Sequence, residues 1–99
     1  MKIVWDERKR QRNFAKHDLD FADLTLDFFL DARVRPAMHG RFLAIGEFHG
    51  RLIVAVVFRP LGSEAIAVIS MRPASRRERS QIDDEQMAAV RNHGSRRFR

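Results

Sequence analysis

Residues 41–71 read RFLAIGE, FHG, RLIVAVVFR, PLGSE and AIAVISM in succession, and these five pieces decide the fold. The three longer runs, Arg41–Glu47, Arg51–Arg59 and Ala65–Met71, are rich in Ile, Val and Phe, residues that suit a pleated, half-buried surface. Phe48-His49-Gly50 is short enough to join the first two runs as a tight hairpin. Pro60-Leu61-Gly62-Ser63 supplies turn residues for the second join. Connections this short return the chain beside itself, so the stretch predicts a three-stranded antiparallel meander.

Towards the N-terminus, Lys2-Ile3-Val4-Trp5 reads as a fourth short strand. Asp6 is placed to cap a helix from Glu7 to about His17, because its carboxylate can accept from the free N–H groups of the first turn. That helix is mostly charged and offers little beyond Phe14 and Ala15 for burial. Asp20 is placed to cap a second helix, Phe21 to Leu30, with Phe21, Leu24 and Phe28 at helical spacing. Arg33 to Gly40, with Pro36 and Gly40, is expected to be a loop. Beyond the meander, Ser75-Arg76-Arg77-Glu78 matches the capping box and should open a last helix running to about Asn92. The order β-α-α-β-β-β-α predicts an α+β fold, with helices packed on a four-stranded, mainly antiparallel sheet. One domain is expected over residues 1–92, followed by a basic tail at 93–99.

A chain of 99 residues has a core of limited depth, so a function is expected on a face or in a shallow cleft. Cysteine is absent, which removes disulfides and thiolate chemistry. The longest apolar run, Leu52 to Phe58, is far too short to span a bilayer. After Met1-Lys2 the chain moves at once to Asp6-Glu7-Arg8-Lys9-Arg10, unlike a secretory leader, so a cytoplasmic location away from membranes is expected. No Gly-rich phosphate loop, nucleophile elbow or dinucleotide fingerprint is present, and no cofactor is expected. His39, His49 and His93 stand apart from one another without metal-ligand spacing, so no metal is expected either.

The net charge of +6 is laid out in blocks. Lys2 to Lys16 holds six basic and two acidic residues, whereas Asp18 to Asp31 holds five aspartates and no base. Arg72, Arg76, Arg77 and Arg79 then cluster around Glu78, and four more arginines follow Val90. Blocks of one sign imply a basic face and an acidic face, and a polyanion such as RNA fits the first. Arginines kept only for solvation are the plainer alternative.

Two constellations can carry chemistry. In the first, Lys9, Asn13 and His17 recur at i, i+4 on the first helix beside Lys16. Imidazole both gives and takes protons near neutrality, which makes His17 the candidate for proton transfer. A histidine stabilised by the dipole at a helix C-terminus is the competing account. In the second, Arg72-Pro73-Ala74-Ser75-Arg76-Arg77-Glu78-Arg79 gathers guanidiniums around a helix N-terminus, where phosphate binds readily. Arg72 is the candidate for stabilising charge on a transferring phosphoryl group. Glu78 is a candidate general base, against the simpler role of closing the capping box. Lys9, Lys16, Arg41, Arg76, Arg77 and Arg79 are candidates for holding an RNA backbone. Ile82, Met87 and Val90 form a sparse apolar set on the last helix, for a protein partner to bury or for the protein's own sheet to cover.

Lys2-Ile3-Val4-Trp5-Asp6-Glu7, with Lys9, Asn13, Lys16-His17 and Phe21, resembles the start of the BrnT family of type II toxins. Arg41-Phe42-Leu43-Ala44-Ile45-Gly46 and Ile69-Ser70-Met71-Arg72-Pro73-Ala74, with Arg77-Glu78-Arg79, resemble the rest of its pattern over roughly residues 1–82. The resemblance implies a RelE-like ribonuclease that cleaves RNA and arrests translation. It also implies neutralisation by a BrnA-like antitoxin that carries the DNA-binding part. Lys9, His17, Arg72 and Glu78 match the family's polar positions. A metal-independent endoribonuclease is therefore the expected function, in which the substrate's own 2′-OH attacks the adjacent phosphate. A non-catalytic RNA- or ribosome-binding module, or an interaction domain that uses the acidic segment 18–31, are the alternatives.

Overall fold

The computed structural model describes residues 1–82. The N-terminal strand β1 (Lys2–Trp5) leads into helix α1 (Glu7–His17), a 3-10 turn (Phe21–Asp23) and helix α2 (Leu26–Asp31). Strands β2 (Arg33–Pro36), β3 (Phe42–Phe48), β4 (Leu52–Leu61) and β5 (Ala65–Pro73) follow. A last helix, α3, opens at 76 and is described to 82. The expected α+β class and meander are present, and the sheet has five strands rather than four, in the order β1-β5-β4-β3-β2. Only β1 runs parallel to its neighbour.

The fifth strand lies in the stretch expected as a loop. Arg33–Pro36 pairs with Phe42–Ile45 through a turn in which His39 (φ 62) and Gly40 (φ 72) are both left-handed. The Arg41 N–H donates to the Met38 carbonyl across it at 3.3 Å. His49 (φ 55) and Gly50 (φ 68) repeat this between β3 and β4, the hand that a type I′ hairpin requires. Pro36 sits on the sheet's edge, where a missing N–H costs no ladder bond. Pro60 and Leu61, expected in a turn, extend β4 instead. β3 begins only at Phe42, opposite Phe58, so no neighbour on that side needs the N–H that Pro60 lacks.

The second helix is also shorter than expected. Asp20 accepts from the Ala22 N–H and caps only the 3-10 turn; Leu24 is extended (ψ 141), and Thr25 then caps α2 by accepting from the Phe28 N–H. Asp6 caps α1 as expected, and Asp18 ends it in the left-handed region. The one buried residue of α1 is Asn13, while Phe14 and Ala15 are exposed.

Each face of the sheet has its own cluster. On the inner face Phe21, Leu24 and Phe28 pack on Ala44, Val54, Val56, Val68 and Met71. Phe28, Phe29, Phe58 and Phe42 continue this as a chain of rings with centroids 5.2–5.8 Å apart. On the outer face α3 lays Ile82 over Leu43, Ile45 and Ala55. Among the described residues, that helix covers one end of the outer face, and none lies over the end near β1.

The way α1 seals the sheet positions the site. β1 stops at Trp5, opposite Val68, so β5 would expose a bare edge from Ile69 onwards. α1 runs along that edge, and buried Asn13 takes the place of a strand there. Its Oδ1 accepts from the Met71 N–H (3.0 Å) and its Nδ2 donates to the Leu19 carbonyl (3.1 Å). Arg10 fixes the other side of the helix, donating to both carboxyl oxygens of Glu7 and of Asp20, while the Trp5 indole N–H also donates to Glu7. These donors hold the Glu7 carboxyl at about 2, with Arg10 the largest cause.

Candidate functional site

The register lays out the outer face in rows. Arg33, Ile45, Ala55 and Arg72 are successive partners across β2, β3, β4 and β5, and Arg35, Leu43, Val57 and Ser70 form the next row. β2 and β5 stand three strand spacings apart, about 14 Å, so only long side chains can meet between them. Arg72 and Arg35 do so at one carboxylate. Arg72 gives Glu78 a bidentate pair at 2.8 and 3.0 Å, and an Arg35 amino group lies 3.9 Å from Glu78 Oε2. Arg35 also donates to the Gln81 side chain at 3.1 Å.

Glu78 also closes the capping box. Its Oε1 accepts from the Ser75 N–H at 2.8 Å, and Ser75 Oγ accepts from the Glu78 N–H at 3.1 Å. The Arg72 guanidinium, with help from the Ser75 N–H, holds the carboxyl at about 2, and Glu78 in turn raises the Arg72 pKa. A carboxylate held this strongly in its ionised form, with its side chain only 9% exposed, is a poor proton acceptor. Of the two roles weighed for Glu78, its hydrogen bonds make the capping one, and the same carboxylate fixes Arg72. Arg72 itself lies within β5, not just past the strand as expected.

The first constellation comes together as a groove. Lys9, Arg12, Lys16 and half-buried His17 line a shallow channel against Ile69 and Ser70, on the edge that α1 seals. Ile69 is the extra residue of a bulge, since Val57 pairs with Ser70 but Phe58 pairs with Val68. A bulge re-aims side chains, and here it turns Ile69 towards α1. Ser70 links the two constellations: it lines the groove with His17, and it shares the outer face with Arg72 two residues on, about 7 Å along the strand. Asn13 lines the same groove, and its side-chain amide is also bonded to the β5 edge and to the Leu19 carbonyl.

Lys9 and Ile69 also line the next recess, with Arg41 and Arg59. The groove and the recess meet at Lys9 and Ile69, and this trough bears Lys9, Arg12, Lys16, Arg41 and Arg59, with Asp6 the one acid in its lining among the described residues. Arg76, Arg77 and Arg79 are exposed on the first turns of α3, outside the trough lining. Of the two readings of the apolar set, partner or own sheet, Ile82 follows the second and is buried on the protein's own sheet. Met87, Val90 and the tail 93–99 lie outside the described residues. Arg35 and Arg59 are not marked out by the sequence, because one falls in the expected loop and the other next to an expected turn.

The opposite sign gathers in a separate concavity. Asp23, Asp27, Asp31 and Glu47 line a concavity of about 420 Å³ between α2 and the β3–β4 turn. Among the described residues no group of three or more His, Asp or Glu side chains is placed to hold a metal. Among the same residues no helix is long and apolar enough to cross a membrane.

Residues 5–78 match the family model described as the ribonuclease toxin BrnT of type II toxin–antitoxin systems. The fold is also that of the crystal structure of the Brucella abortus ribonuclease toxin BrnT, with a TM-score of 0.74. That protein is 63% identical to this chain, and the match covers 77% of this chain and 99% of the other. No curated protein sequence matches.

Proposed function

This chain belongs to the BrnT family of ribonuclease toxins of type II toxin–antitoxin systems, and we propose that it cuts RNA without a metal, using His17 and Arg72. The observation that supports this reading is that Ser70 lines the groove with His17 and shares the outer face of β5 with Arg72, two residues on. The attacking 2′-OH must lose a proton, the leaving 5′-oxygen must gain one, and the phosphorane between them gathers charge on its non-bridging oxygens. His17 takes or gives the proton, and positioned groups of this kind contribute roughly 10²–10⁴-fold. Arg72 meets the developing charge, with Glu78 acting as a positioning residue that holds the guanidinium planar over β5. Lys9, Lys16 and Arg41 hold the backbone along the trough, and Arg76, Arg77 and Arg79 extend the cationic field beyond it.

In the cell such cleavage in the cytoplasm would stop translation, and a BrnA-like antitoxin would neutralise the toxin and carry the pair to DNA. A cationic face among cellular RNAs favours a blocker that is acidic where it meets the arginines. Purified protein incubated with RNA and excess chelator tests the chemistry. Cleavage should persist in the chelator and leave a 2′,3′-cyclic phosphate. His17→Ala should lower the rate at least tenfold while the melting temperature holds; Arg72→Ala should lower it as far, assayed well below a melting point that falls because Glu78 loses its ion-pair partner. Rates unchanged in both variants would dismiss this site, and loss of cleavage on chelation would dismiss the metal-free route.

A further inference from the structure

The proton transfer and charge stabilisation assigned above leave the β1 end of the outer face unused. There a recess of about 270 Å³ lies between β1, β4 and β5. Val4, Ala67 and Arg59 are successive register partners across its base, and Leu61 stands at the rim 46% exposed. The floor is thus apolar, while the walls carry Arg41, Arg59 and Lys9 together with Asp6, whose carboxylate accepts from the Lys9 N–H at 3.1 Å. Among the described residues Arg41 Nε is the one buried side-chain polar atom without a hydrogen-bond partner. A buried donor with no acceptor is costly and rare, and here it stands at the wall of a recess. An anionic ligand seated there supplies the acceptor after a small turn of the guanidinium. Arg59 donates to the His39 carbonyl through one nitrogen, at 3.1 Å, leaving further N–H groups for a ligand.

An apolar floor with cations on its walls suits a flat base flanked by phosphates. The volume falls just under the roughly 300 Å³ at which small-molecule pockets begin, enough for one nucleoside and too little for a base pair. We propose that this recess is a subsite for one unpaired nucleotide of the RNA strand, with its base on Val4, Leu61 and Ala67 and its phosphates on Arg41 and Arg59. The proposal rests on the ribonuclease reading and deepens it. The groove at His17 and this recess share Lys9 and Ile69 in their linings, so the nucleotide is placed on the same strand as the bond that is cut. A duplex cannot enter, because its bases are stacked and paired, so the protein selects single strands beside the cut.

DNA strands carrying a single ribonucleotide confine cleavage to one bond and allow the flanks to be lengthened one nucleotide at a time. In wild-type protein, one added nucleotide on one flank should lower KM about tenfold with little change in kcat. An abasic unit at that position should forfeit the gain. Arg59→Ala and Leu61→Asp both alter exposed side chains and should melt close to wild type. In each, the ratio of KM between the shorter and longer strand should fall towards one. All-DNA strands cannot be cut, and their Kd from fluorescence anisotropy should show the same length step and the same loss in the variants. That step would sustain the subsite even if no strand were ever cleaved, a result that would sink the nuclease reading alone. The subsite is overturned if the step is absent from both assays, as a recess reserved for a protein partner predicts. It is also overturned if the step survives in both variants, or if an abasic or base-paired unit binds equally well.

Discussion

Replacing Glu78 with glutamine separates what its shape does from what its charge does. Glutamine can still close a capping box, since its carbonyl oxygen accepts from the Ser75 N–H, so helix α3 keeps its start. The charge-assisted pair with Arg72 is lost, and an amide N–H₂ is pressed towards two guanidiniums in place of an acceptor. Hydrogen bonds to charged groups contribute about 1.5–3 kcal/mol. The Arg72 side chain is 40% exposed, so screening favours the low end, about 1.5–2 kcal/mol. In a domain this small that corresponds to a fall in Tm of about 6–16 °C at pH 7. The gap should depend on pH in a defined direction. The Glu78 carboxyl is held at about 2, against an ordinary 4.5, so its stabilisation is complete above 4.5 and drains away as pH falls from there towards 2. The glutamine side chain of Glu78→Gln does not titrate, and the two stability curves should converge over that window. Urea unfolding of both proteins between pH 7 and pH 2.5 measures the difference directly. A gap that stays constant down to pH 2.5, or is absent at pH 7, would refute the assignment of Glu78 as a buried, ionised partner of Arg72. In RNA cleavage, a positioning role predicts that Glu78→Gln retains more activity than Glu78→Ala, whereas a proton acceptor would tolerate neither.

Asn13→Ala strips the Met71 N–H and the Leu19 carbonyl of their partner at a buried edge and should cost about 2–3 kcal/mol in urea unfolding; a cost below about 0.5 kcal/mol would mean that water serves that edge equally well. Gly46→Ala places a methyl 3.2 Å from both Ala32 Cβ and the Phe28 ring, so α2 must shift and stability should fall by about 1–2 kcal/mol, against no loss if the helix yields freely. RNA affinity should fall with salt along a log–log slope of about −3.5 if the five cations of the trough each neutralise a phosphate, and a flat response would remove the trough from RNA binding.

Much of this fold is legible in the sequence because its local signals agree with its packing. The runs within 41–71 alternate on two buried faces, and Asp6 and Ser75–Glu78 carry their own hydrogen-bond partners a few residues away. The fifth strand is hidden because Pro36 reads as a loop residue. On an edge, that proline costs nothing. A signal is present all the same: His39-Gly40-Arg41 repeats His49-Gly50-Arg51, and both His-Gly pairs take the left-handed conformation of a hairpin turn. The second helix reads too long because Phe21, Leu24 and Phe28 do face one core. The spacing records that shared burial and is blind to Thr25, which restarts the helix between them.

The site is legible to a different degree, for a reason rooted in the sheet. His17 and Arg72 are each marked by local chemistry, but what relates them is the bulge at Ile69 and the end of β1 at Trp5, neither of which has a sequence signature. Arg35 shows the limit most plainly. It lies 43 residues before Glu78, on a strand three spacings from Arg72, and only the finished register makes it the second cation at that carboxylate. One carboxylate shared by two arginines leaves a net positive charge at the start of α3. Helix and sheet are joined there by an ion pair that an anionic substrate can compete for. The acidic lining between α2 and the β3–β4 turn shares no residue with the lining of the trough. Charge separation of this kind steers a polyanion to one face, and the alternating blocks of the sequence are its source.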